Sequence, residues 1–148
     1  MVGIQSQSTA VGRQVQKHFF SNDPRVNGVL NRFASICAAD AIWVSIEADG
    51  LTKNRFGDRF SDVLELALTI ARDNCIETTS PKERFIRLRS REIHKQVFLK
   101  IEYACESGYL REFDKNTVKL YDSVEQVDGY VRINLEKGYG CIKIAVSK

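Results

Sequence analysis

The amino-acid sequence predicts an α/β chain of the α+β kind. The expected form is a two-layer sandwich, three helices packed on one face of a mixed, mostly antiparallel sheet. Three observations predict it. Apolar residues switch between helical and strand spacing in the order helix, strand, helix, strand, strand, helix, strand, strand. The link between the second and third strands is too short for a parallel crossover, so that pair is antiparallel. The second helix is apolar over so wide an arc that it must be covered on most sides.

Residues 1–22 are polar and weakly patterned, and read as a tail or the remnant of an upstream helix. The domain itself is expected over residues 23–148. His18 in "QKHFF" has no partner acid near it in sequence and reads as a surface histidine. The first helix opens at "SNDPRVNG", where Asp23 is placed to cap it and Pro24 sits where a missing N–H does no harm. Val26, Val29, Leu30, Phe33 and Cys37 make its apolar stripe. In "IWVSIEAD", Ile42, Val44 and Ile46 alternate against Trp43, Ser45 and Glu47, which marks a strand.

"GLTKNRFGD" is a loop, after which Asp58 or Ser61 starts the second helix, "RFSDVLELALTIARDNCIETT". Phe60, Leu64, Ala67, Leu68, Ala71 and Cys75 form one stripe; Val63, Leu66, Ile70 and Asn74 form another beside it. Asn74 therefore does not simply face water. Pro81 marks the stop beyond this helix. "RFIRLRS" and "QVFLKIEYA" are strands with "REIHK" as their turn. In the second, Val97, Leu99, Ile101 and Tyr103 point one way, and Phe98, Lys100 and Glu102 the other. "NTVKLYDSVEQVDG" is the third helix, with Leu120, Tyr121, Val124 and Val127 inward and Gly129 as the stop. The chain closes on a hairpin turning at Lys137-Gly138.

The 148 residues and 43% hydrophobic content suit one domain with a real core. No apolar run approaches the roughly 20 residues that cross a bilayer, and no secretory signal is expected. The net charge of +3 is mild. "KERFIRLRSREIHK" is locally basic but lacks interleaved aromatics, so it reads as a solvated strand face and no nucleic acid is expected. Its sharper reading is a binding surface for an acidic partner or nucleic acid, using Arg84, Arg87, Arg89 and Arg91. Cys37, Cys75, Cys105 and Cys141 form no CxxC pair, so reduced thiols in the cytoplasm are expected.

Three stretches resemble the GHKL ATPase superfamily, and within it the catalytic domain of accessory-gene-regulator-type sensor histidine kinases. "DPRVNGVLNRFASICAADAIWVSIEAD" is similar to the "NPVVNAILN" segment that opens that domain. "FSDVLELALTIARDNCIET" is similar to its N-box, "DLxxLLGNLLDNAIEA". "NTVKLYDSVEQVDGYVRINLEKGYGCIKIAVS" is similar to the last helix and closing hairpin that come after the nucleotide lid. The resemblance covers roughly residues 22–147. It implies ATP and Mg2+ as ligands, with Asn74 as the magnesium ligand and Asp73 and Glu77 beside it. An amide oxygen on a rigid helix suits a hard cation.

The departures set what else is expected. Ile70 stands one turn before Asn74, where the family carries a polar residue. The family's "IEN" reads "IEY", with Tyr103. The DxGxG box is not found, and the lid stretch "ESGYLREFDKNTV" keeps one glycine, Gly108. The resemblance thus implies the ATPase-like domain of a bacterial two-component sensor histidine kinase, with ATP and Mg2+ held weakly or not at all. No catalytic residue is assigned. The implied partners are the upstream phosphoacceptor and sensor domains of a membrane-anchored parent, a response regulator, and a second chain joined through the parent. Two alternatives stand beside it. One is a working kinase domain that passes the γ-phosphate to a histidine, with donors such as Arg72, Lys82 or Arg111. The other is a non-enzymatic α/β module with a basic strand.

Overall fold

The computed structural model describes residues 18–52, 57–106, 115–136 and 138–147. The elements are α1 (Pro24–Ala39), β1 (Trp43–Glu47), α2 (Asp58–Thr78), a short 3-10 turn (Pro81–Glu83), β2 (Phe85–Ile93), β3 (Gln96–Ala104), α3 (Lys115–Gln126), β4 (Tyr130–Glu136) and β5 (Tyr139–Ser147). The strands lie in the order β1-β2-β3-β5-β4, with β1 parallel to β2 and every other pair antiparallel. The predicted two-layer arrangement is what the chain adopts.

Local chemistry explains the boundaries. Asp23 caps α1, its Oδ1 accepting from the N–H groups of Arg25 at 2.9 Å and Val26 at 3.4 Å. Neither Asp58 nor Ser61 caps α2. Gly57 holds that position with no side-chain bond, while Asp58 lies inside the first turn, paired with Arg25. Its charge there still favours the helix dipole. The "REIHK" turn shrinks to His94-Lys95, whose φ values of 51° and 56° make a two-residue hairpin turn that matches strand twist. β2 runs on to Ile93 because the backbone ladder continues after its side chains have become solvent-exposed.

Two further expectations are corrected. Tyr121 is 45% exposed, flanking a narrow stripe made by Thr117, Leu120 and Val124. His18 is half-buried and not a surface residue: its N–H reaches Asn31 Oδ1 at 2.8 Å and its ring lies 5.7 Å from that of Phe20. Gly129 does end α3, its N–H donating to Val124 O at 2.9 Å. The preceding Asp128, however, takes the left-handed turn, with φ 52°. Gly129 is required for closeness instead, since a Cβ there would fall 2.8 Å from Ala145 O.

The sheet is two-sided. Ile86 and Leu88 of β2, Leu99, Ile101 and Tyr103 of β3, and Ile142 and Ile144 of β5 face the helices, all at most 2% exposed. They share one core with Leu30, Leu64, Leu68 and Leu120. Arg84 fastens the helical layer from below. Its Nη1 donates to Asp40 O at 2.9 Å, and its Nη2 lies 3.4 Å from both Ile76 O and Thr79 O. One guanidinium thus serves the C-terminal carbonyls of α1 and α2, where a cation complements both dipoles. No helix among the described residues is long and apolar enough to cross a membrane.

Candidate functional site

The last turns of α2 carry the residues singled out by sequence. Side chains four apart share a helix face, so Ile70, Asn74 and Thr78 form one row while Asp73 and Glu77 form the next. Ile70 is buried, Asn74 half-buried and Glu77 exposed. Thr78 Oγ1 donates to Asn74 O at 2.8 Å and accepts from Glu106 N–H at 3.1 Å. The end of α2 is thereby stitched to the chain leaving β3.

Asn74 neighbours Tyr103. That tyrosine is fully buried at the end of β3, and its ring rests on Gly140 of β5. A Cβ at position 140 would lie 2.3 Å from the ring carbon that bears the hydroxyl, so only glycine admits this tyrosine. Burial pushes the phenol pKa up, while the nearby Asn74 amide opposes that shift. The amide is close enough to be felt, yet no hydrogen bond of acceptable geometry reaches Tyr103 Oη among the described residues. We take this contact as proximity and not a formed bond, because direction, not distance alone, makes a hydrogen bond.

Asp73 turns elsewhere. It lies 3.4 Å from Arg72 Nη1, and Arg72 Nε donates to Asp40 Oδ2 at 2.6 Å. The bond from Asp40 raises the Arg72 pKa, and Asp73 adds to the effect. The three residues predicted to form the site share a helix end. Asn74 neighbours Tyr103, and Asp73 lies beside Arg72, which in turn bonds Asp40. Among the proposed phosphate donors, Arg72 is engaged, Lys82 is exposed on the 3-10 turn, and Arg111 lies outside the described residues, as does Gly108.

Sequence reasoning missed Thr78, though its spacing of four from Asn74 was a usable signal. Gly140 left no signal, because nothing local places it opposite Tyr103. All four cysteines are buried, and burial pushes the thiols of Cys37 and Cys75 upward in pKa.

No family model and no curated protein matches the sequence. Solved structures do match. The histidine kinase domain of the Erythrobacter litoralis EL346 blue-light activated histidine kinase superposes with a TM-score of 0.63 at 13% identity, over 84% of this chain and 61% of that one. Acinetobacter baumannii histidine kinase AdeS gives 0.64 at 15% identity, over 96% and 70%. A nucleotide-free catalytic domain of histidine kinase ThkA gives 0.62 at 13% identity, over 84% and 91%. The fold is that of a histidine kinase catalytic domain. At such identities the likeness concerns the fold alone, and this chain spans less than two thirds of the blue-light kinase domain.

Proposed function

We propose that the chain is a degenerate ATPase-like domain of an accessory-gene-regulator-type, two-component sensor histidine kinase. Its role is regulatory or scaffolding, and its nucleotide grip is weakened or lost. The observation that supports this reading is the surroundings of Asn74. Asn74, whose amide oxygen has the right chemistry for Mg2+, comes one helical turn after the buried Ile70 and neighbours the buried Tyr103. Phosphoryl transfer requires positioned charge neutralisation. The nearby guanidiniums are committed elsewhere, Arg72 to Asp40 and Arg84 to the helix carbonyls. Both commitments support a weakened grip on a magnesium-triphosphate group, and no catalytic step is assigned. A working pocket would have to draw on donors such as Lys82, since Arg72 is paired with Asp40.

On this reading residues 23–148 form the domain and 1–22 a tail or the remnant of an upstream helix. Asn74 is a residual ligand position flanked by Asp73 and Glu77. The partners are the phosphoacceptor and sensor domains of a membrane-anchored parent, a response regulator and a second parent chain, with this domain on the cytoplasmic side. The test is phosphate release from γ-labelled Mg·ATP by the full chain and by Asn74→Ala. Both are expected to sit at the no-protein background. Magnesium-dependent release that disappears in Asn74→Ala would overturn the proposal.

A further inference from the structure

We propose that the open face of the sheet, on the side away from the helices and from Asn74, is a platform for single-stranded nucleic acid. Strand register sets a row of cations across it. Arg89 of β2 is opposite Lys100 of β3, Lys100 opposite Lys143 of β5, and Lys143 opposite Arg132 of β4. With neighbouring strands about 4.8 Å apart, the row spans roughly 14 Å.

Like charges directly opposite one another destabilise a sheet, so this row is not explained by folding. The acid set among these cations is Glu102, which is shared three ways, 3.6 Å from Arg89, 3.8 Å from Lys100 and 4.0 Å from Arg87. Its buried Oε1 has no hydrogen bond among the described residues. Glu47, Asp49 and Glu92 also line the depression, all three on its β1 and β2 side. Among the described residues neither Lys143 nor Arg132 forms an ion pair, so the positive excess lies toward β5 and β4.

The next row supplies rings. Phe98 of β3 and Tyr130 of β4 are 37% and 57% exposed, and both lie opposite Ala145 of β5, which separates them as a low floor. A depression of about 810 Å³ covers these residues together with Arg89, Lys100 and Lys143. The two rows are two residues apart along each strand, about 7 Å. A nucleotide spans that gap, base on the ring row and phosphate on the cation row. Cations alone would suit an acidic peptide equally well. Exposed rings beside them favour bases, because every base has a π-face to stack and a carboxylate has none. A flat sheet also suits a splayed single strand better than a duplex, whose grooves take a helix or a ribbon. The run Lys82–Lys95 carries too few aromatics by itself to suggest nucleic acid; folding brings them in from β3 and β4.

The test is fluorescence anisotropy of the full chain with labelled oligo-dT and oligo-U, against polyglutamate as competitor. Four phosphate contacts give a log–log salt slope near −3, so affinity should fall about 50-fold between ~50 and ~200 mM salt. Phe98→Ala and Tyr130→Ala should each weaken binding about tenfold with the slope kept. The double variant Lys143→Glu, Arg132→Glu should flatten the slope and remove most of the affinity. No binding of either oligonucleotide at the lower salt overturns the proposal. So does binding indifferent to the two ring variants, or polyglutamate binding as tightly as the oligonucleotides, which would assign the face to an acidic protein.

Discussion

A buried hydroxyl without a partner penalises folding by roughly 1–3 kcal/mol, and among the described residues Tyr103 carries one. Tyr103→Phe keeps the ring on Gly140 and deletes only the orphan. We expect it to raise stability in urea by about 1 kcal/mol; a loss of similar size would mean that Asn74 bonds the hydroxyl after all. The same burial predicts the alkaline behaviour. Cys37, Cys75 and Tyr103 are all held protonated by desolvation, above ordinary values of 9.0 for the thiols and 10.0 for the phenol. The unfolded chain releases these protons first. Their contribution is therefore fully present below those ordinary values and is lost as pH rises through them towards the folded pKa values. Urea midpoints should be flat to about pH 8 and then fall, with a slope on the order of 1 kcal/mol per pH unit per group. A midpoint unchanged at about pH 10 would contradict the burial of these groups. The inward direction of Tyr103 was legible from its alternation with Val97, Leu99 and Ile101. The glycine that receives it was not, because register between β3 and β5 is a long-range property.

Between elements, Arg84 joins what the basic strand seemed to own. In sequence it stands with Arg87, Arg89 and Arg91, which alternate along one side of β2. Arg84 precedes the strand and holds the ends of α1 and α2 instead. Arg84→Ala should cost about 2 kcal/mol by chemical denaturation, through lost charge–dipole contacts and orphaned carbonyls. Arg91→Ala, on the exposed face, should change stability by less than about 0.5 kcal/mol. Equal effects would refute the clamp. Local signals were legible where one residue had one role: Asp23 caps α1 as read. Asp58 likewise starts α2 as read, although the cap before it is Gly57 with no side-chain bond. Local signals failed at His94-Lys95, whose left-handed turn uses neither glycine nor asparagine.

Across the whole molecule, the order of elements and the layering of helices on sheet were legible, because periodicity reports burial. Strand order was not: nothing local says that β5, and not β4, lies beside β3. The open face was also invisible as a unit, since its cation and ring rows cross four strands. At the end of α2 the row that carries Asn74 was legible, but its neighbour Tyr103 was not, because that ring comes from a distant strand. The central proposal is that a kinase-domain fold here holds a triphosphate weakly or not at all. Isothermal titration of the full chain with Mg·ATP tests it most directly. We predict no saturable heat up to millimolar nucleotide; one-to-one binding in the micromolar range, lost when magnesium is withheld, would contradict it.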